Sequence, residues 1–387
     1  MPSISDDHLS LYNEYHDAIY PNCVPELAVS ELDDLYGSLY SSLPVLKSGS
    51  SGALQDVSTY VRWHHLNNQL KTESIFLFRQ VGQRISVVNE GMHLSREMIE
   101  NFCDHLFDSE PTVNQIDFHA VAVPPGASSR PHLQCACTED VVVTLPRSCS
   151  EYMDQLGKST RKSLKKHLSR ARCELPDFSH AIHEGKQISK QAILEVAAFN
   201  HARMAQKHRQ SALDQAAVSQ LMTLMRERGT AGFISAQGRL CAGTLACRIG
   251  DDIYSLVTAH DPQFDHLGLG NLSRHLMIVA AISSGAHRFH LLGGKLGSKR
   301  AALGIRQRLD HLRVYRSWGA MGRDIAGLSR IALDSGAYYL RSWIDDQTSS
   351  HQPGWMIRSL MAVGDHFRKK RKIRLMVEPA LMARGDY

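Results

Sequence analysis

The spacing of apolar residues changes period several times along the chain, and each change predicts an element. Residues 74–80 (SIFLFRQ) and 84–89 (RISVVN) alternate as two strands hinged at Gly82. Behind Ser95, the residues Met98, Ile99, Phe102 and Leu106 fall on one face of a helix. Residues 116–123 read as a strand closed by Pro124-Pro125-Gly126, and 139–146 as another. A helix opens at Ser150 with Tyr152, Met153 and Leu156 apolar, and a basic stretch continues it with Leu164 and Leu168 at i, i+4. Residues 190–228 are helical with a break near 208–211. Then come three strands in a meander, 232–236, 242–250 and 252–260, with glycines at the turns. An apolar helix over 271–284 ends at Gly285, a short strand begins at Arg288, a last strand covers 311–317, and helical segments fill 320–387.

Composition narrows the class. With 387 residues, 43% of them hydrophobic and 21% charged, the chain reads as globular, and at about 100–200 residues per domain it holds two or three. No apolar run nears the roughly 20 residues that span a bilayer, and the start of the chain lacks the basic and apolar regions of a secretion signal; a cytoplasmic protein is the expectation. The eight cysteines show no CxxC. Cys135, Cys137 and His132 approach a metal cluster without a fourth ligand, so no metal is expected.

The net charge of +5 is segregated. Residues 1–46 carry Asp6, Asp7, Glu14, Asp17, Glu26, Glu31, Asp33 and Asp34 and no lysine or arginine, which leaves 44 basic against 31 acidic residues in the remainder. Basic clusters lie at 158–172, 295–316 and 368–374. Such a body suits a polyanion: a nucleic acid, an acidic membrane surface or a phosphorylated cofactor.

The third meander strand ends at His260-Asp261-Pro262, followed by Asp265-His266-Leu267-Gly268-Leu269-Gly270-Asn271 and a helix. A Gly-X-Gly turn at a helix N-terminus offers backbone N–H groups and the positive end of the helix dipole, a cradle for pyrophosphate. The dinucleotide fingerprint fails, because position 273 is Ser and the preceding strands are antiparallel; the Walker pattern fails at Ser298.

Strand, glycine turn, helix and strand in this order resemble the GNAT acyl-CoA N-acyltransferase superfamily. The similarity is closer to one branch, the acetyltransferases associated with cellulose biosynthesis, related to the FemAB peptidyltransferases. Its segments stand here as TLPRSCSEYMDQLGKSTRKSLKKHLSRARCE from Thr144, FNHARM from Phe199, HDPQFDHLGLGNL from His260 and FHLLGGKLGSK from Phe289, over roughly 140–317. Two positions depart from that pattern: His290 replaces an aspartate at the end of the penultimate strand, and Ser298 replaces an aromatic residue before Lys299.

The resemblance implies an α+β fold with a mixed, largely antiparallel sheet in two tandem GNAT-like lobes. Boundaries are expected at 1–48 for an acidic extension, 49–145 for a degenerate first lobe, 146–320 for the lobe that binds the acyl donor, and 321–387 for a helical tail. It implies direct transfer from acyl-CoA or acetyl-CoA, or from an acyl carrier protein, to the amine of a small molecule, amino acid or amino sugar. Asp265 to Asn271 and Lys299 would hold the donor. His260, Asp261 and His290 would serve catalysis, and His201, Arg203 and Arg161 would face the acceptor. Two other readings use the basic clusters: a FemAB-like transferase taking aminoacyl-tRNA, and a non-enzymatic nucleic-acid binder. The second lacks aromatic interleaving and any helix-turn-helix, zinc or RNP pattern.

Overall fold

The structure, a computed structural model, describes residues 15–49, 54–66, 69–208, 210–293 and 297–350. In the first half, β1 (Tyr15–Tyr20), α1 (Glu26–Tyr36) and α2 (Leu43–Gly49) precede β2 (Ser58–Leu66), β3 (Gln69–Val81) and β4 (Arg84–Val87). Then follow α3 (Arg96–Ser109), β5 (Gln115–Val121) and β6 (His132–Thr144). The second half has α4 (Cys149–Gln155), α5 (Lys158–Glu174), β7 (Ser179–Glu184), α6 (Lys190–Gln206) and α7 (Gln215–Arg228). It continues with β8 (Gly229–Ala236), β9 (Arg239–Ile249), β10 (Asp252–His260), α8 (Leu269–Ser283), β11 (Arg288–His290), α9 (Gly297–Arg300) and β12 (Ile305–Tyr315). Helices α10 (Trp318–Arg323) and α11 (Ile325–Ser350) come last; the expected helical content of 351–387 lies outside the described residues.

The described strands form one twelve-stranded sheet in the order β1-β2-β3-β4-β5-β12-β6-β11-β10-β9-β8-β7. The expected α+β architecture is therefore present, with ten of the eleven neighbouring pairs visible as two copies of one plan joined at the middle. In each half an antiparallel meander ends in a short parallel pair: β4 with β5, and β10 with β11. The middle is an exchange. β6, from the first half of the sequence, pairs with β11, while β12, from the second half, pairs with β5; β6 and β12 pair with each other.

Each half has its own core. In the first, Tyr60, Phe76, Phe102 and Phe118 are fully buried, with ring centroids between 4.5 and 6.2 Å apart. In the second, α6 and α7 cover one face of the sheet through Val196, Leu221 and Met225, and α8 covers the other through Met277, Ile278 and Ala281.

Residues 15–49 depart from the expected extension. Ala28, Leu32, Leu39, Val45 and Leu46 are buried in the two cores, and β1 closes the sheet edge on β2. The acids of α1 lie on its outer side, apart from Asp33, which pairs with Arg228 at 3.0 Å. Among the described residues no helix is long and apolar enough to cross a membrane, and no group of His, Cys, Asp and Glu is arranged to hold a metal ion.

Candidate active site

β10 and β11 run together only over Asp252–Tyr254 and Arg288–His290. Beyond that point β11 ends, because Leu292 adopts a left-handed φ of 58° and turns the chain aside. β10 continues along β9 to His260, past a bulge between Ser255 and Val257. A V-shaped cleft opens between the two strands. Thr258 turns its carbonyl away from β9, where it accepts from the Arg203 guanidinium of α6 at 3.3 Å, so alternate residues of β10 present backbone groups to the cleft. Lys299 holds the other wall. Its Nζ donates to the carbonyls of Leu292 and Gly293 at 2.5 and 2.8 Å, pinning the left-handed turn. Burial, with Arg274 nearby, pushes its pKa down to about 8 against the upward pull of Asp140.

At the open end β10 delivers the chain into a 3-10 turn, Pro262–Leu267, and then α8. Asp261 caps this turn: its carboxylate accepts from the Gln263 backbone at 3.1 Å and side chain at 3.0 Å, and from Arg239 at 2.6 Å. Leu267 and Leu269 are buried and anchor the turn. Gly268 sits at φ 66°, and a Cβ there would lie 2.4 Å from the His167 ring of α5, so the basic helix is packed directly on the turn. His260 pairs with Asp265 at 2.7 Å and lies against Gly270, where a Cβ would come within 3.1 Å of its Nδ1. Ser273, which breaks the dinucleotide fingerprint, is buried and shares a hydrogen bond with Thr244 of β9 at 2.8 Å. Bonds to the Gly268 carbonyl take the N–H groups of Asn271 and Leu272. No backbone acceptor among the described residues takes those of Leu269 and Gly270, the donors an anion would meet.

The vertex of the cleft carries a buried charge cluster. His290, 4% exposed, places Nδ1 2.6 Å from Asp140 of β6 and Nε2 3.6 Å from Asp252 of β10. Its ring stacks on Tyr254 at 4.0 Å and 15°. Burial disfavours the imidazolium, but the two carboxylates outweigh it and raise the pKa. Arg288 grips Asp252 through two nitrogens, at 2.5 and 3.0 Å. Burial works against the Asp252 carboxylate, and its contacts with His290 and Arg288 still hold its pKa below the usual range.

The sequence-predicted residues thus separate. The turn Asp265–Asn271, with His260, Asp261 and Arg203, gathers at the open end of β10; His290 and Lys299 lie at the vertex and along the β11 wall. His266 pairs with Glu174 at 2.9 Å on the surface. His201 bonds the Leu213 carbonyl at 2.7 Å and so closes the connection from α6 to α7. Arg161 lies 3.7 Å from the exposed Asp154. Neither reaches the cleft through a hydrogen bond or ion pair. Asp140, Asp252 and Arg288 escaped sequence reasoning. Their one signal is a charged residue set at the start of an apolar strand, as in Glu139-Asp140-Val141-Val142-Val143.

The first half repeats the parallel pair without the cleft. β4 stops at Val87, and the chain after it is occupied: Ser38 and Ser41 donate to the Glu90 carbonyl at 2.7 and 2.8 Å, and Ser95 caps α3. At the equivalent vertex Asp117 is ringed by Arg313 at 2.5 Å, by His311 at 3.2 Å and by Arg84.

Residues 158–300 match the model of the acetyltransferase (GNAT) domain family. A search of curated proteins finds no match to this chain. Among solved structures, that of FemX superposes with a TM-score of 0.53 at 8% identity, over 77% of this chain and 96% of FemX. A conserved protein of unknown function from Bacteroides thetaiotaomicron gives 0.47 at 13% identity, over 77% of this chain and all of the other. The structure of L-PGS from Bacillus licheniformis gives 0.41 at 12% identity, over 77% and 94%. Residues 158–300 thus match the acetyltransferase (GNAT) domain family, and the chain shares the fold of FemX.

Proposed function

We propose that the protein transfers an acyl group from the thioester of CoA, or of an acyl carrier protein, directly to an amine. The observation that carries this reading is the parting of β10 and β11 after Tyr254 and His290, with β10 leading straight to the open N–H groups of Leu269 and Gly270. A donor's pyrophosphate would sit on that turn at the N-terminus of α8, and its thioester arm would lie along β10. Backbone N–H groups on the cleft edge of β10 would stabilise the oxyanion as the amine adds to the carbonyl. Proximity within the cleft replaces a covalent nucleophile. His290 at the vertex is the candidate base. His260 and Asp261 are assigned to holding the donor turn rather than to proton transfer, since each is engaged within it. Lys299 fixes the β11 wall, and Arg203 lines the cleft opposite.

A second reading takes aminoacyl-tRNA as donor. It is favoured by α5, whose exposed Lys158, Lys162, Lys165, Lys166, Arg170 and Arg172 flank the donor turn on which the helix packs. Thermal stability with CoA, acetyl-CoA and bulk tRNA separates the two. A ligand at a hundred times its Kd adds about 2.7 kcal/mol. A rise in Tm with CoA, followed by thiol release when an amine is added, is the expected result. A rise with tRNA alone would replace it with the second reading.

A further inference from the structure

We infer that Asp140 is the positioning residue of this site: it fixes the His290 ring so that Nε2 faces the small cavity between the two halves, and the acceptor's proton leaves through a water held there. This rests on the acyl-transfer reading above.

The geometry around Asp140 is closed on one side and open on the other. One carboxylate oxygen accepts from the Val141 N–H at 2.6 Å, and the second meets His290 Nδ1 at 2.6 Å. Nδ1 therefore carries the hydrogen in the neutral ring, and the lone pair is on Nε2. Tyr254 lies flat against the ring, and its hydroxyl is fixed by donating to the Gly37 carbonyl at 2.6 Å. His290 Nε2 is buried without a hydrogen-bond partner. The nearest carboxylate, Asp252, is 3.6 Å away and already gripped by Arg288.

The cavity beside it is lined by Ser38, Tyr40, Gly91, His93 and Gln307, with Asp140, Tyr254, Arg288 and His290 of the vertex. It has room for about one water molecule, and its hydroxyl, amide and imidazole groups supply the two to four partners such a water needs. The residues Tyr254 and His290 form its wall and are also the last paired residues of the cleft. The groups facing the ring are Asp140 on β6, Asp252 and Tyr254 on β10, Arg288 on β11 itself, His93 ahead of α3 and Tyr40 between α1 and α2; Lys299 of α9 acts on it through Asp140.

The acceptor ammonium passes one proton through the water to neutral His290, which becomes the imidazolium paired with Asp140. The amine nitrogen forms its bond to the thioester carbonyl carbon, and the C–S bond breaks. The second nitrogen proton goes to the departing thiolate, and His290 returns its proton to solvent.

Two readouts test this on the full chain. The first is the NMR titration of His290 without substrate: it is expected above the ordinary value of about 6.5, and Asp140→Asn should lower it. The second is the pH profile of kcat/KM with acetyl-CoA and an amine acceptor. Its acid limb should move down with the Asn variant, return in Asp140→Glu, and vanish in His290→Gln with a 10²–10⁴-fold loss of rate. A His290 titration unmoved by Asp140→Asn overturns the positioning role. Transfer that proceeds with an unmoved acid limb overturns the proton route alone, whereas binding of neither CoA, acetyl-CoA nor an acyl carrier protein thioester removes the acyl-transfer reading and the route with it.

Discussion

Replacing Gly268 by alanine puts two separable strains on the donor turn. The backbone there is left-handed, at φ 66°, which costs a residue with a Cβ about 1 kcal/mol or somewhat more. The new methyl would also lie 2.4 to 2.9 Å from three atoms of the His167 ring, an overlap that forces the ring or the backbone to move and costs about 2 kcal/mol. The sum is about 3 kcal/mol. At roughly 2.1 cal/mol/K per residue over 387 residues, unfolding entropy near Tm is about 0.8 kcal/mol/K, so the expected fall in Tm is about 4 °C. The His167 ring is the source of the larger part. In a double-mutant cycle, His167→Ala should therefore relieve Gly268→Ala by about 2 kcal/mol, leaving the backbone strain. Urea unfolding of the four proteins measures this. A coupling below about 0.5 kcal/mol would refute the reasoning, since it would mean that α5 is not seated on the turn.

Two further expectations concern charge. Burial opposes the Asp117 carboxylate, but its contacts with His311, Arg84 and Arg313 hold its pKa well below the usual range. Its contribution is therefore present above the unfolded value of about 3.9 and is lost as pH falls. Asp117→Asn should cost about 3 kcal/mol at pH 7, because it removes the buried carboxylate shared by Arg313, His311 and Arg84 and leaves Arg313 with Asp324; the gap should be about 1 kcal/mol smaller in urea melts at pH 3, and an equal gap would contradict it. Lys299 titrates at about 8 in the fold against about 10.4 unfolded. The native state binds fewer protons between those values, so wild type should gain stability over Lys299→Met as pH rises from 7 to 10. A flat difference would show that the lysine is not buried as a charge.

The sequence disclosed whatever was written in period and punctuation. The Gly82 hairpin, the helix behind Ser95, the meander 229–260 and the glycine turn before α8 all appear where their spacing put them, within a few residues. β1 and β2 were missed because His16, Asp17, Arg62 and His64 interrupt the apolar alternation, and β7 because its side chains are half exposed. The cleft itself was legible only through resemblance, since nothing local to Tyr254 or His290 says that two strands part there. Asp140 was beyond reach altogether. Its partner lies 150 residues away, and only the strand exchange brings β6 beside β11.

That exchange also dictates the order of events as the chain is made. The free edge of β5 has no neighbour until β12 arrives, and Asp117 must wait for Arg313, 196 residues further on. Through most of synthesis the first half carries an exposed edge, and its interior carboxylate has Arg84 but neither Arg313 nor His311; such an edge invites pairing with other nascent chains. The late strand that closes it belongs to the half that bears the cleft, so neither half is completed by its own stretch of chain. Long-range pairing of this kind slows folding and lengthens the time for which that sheet edge stays open.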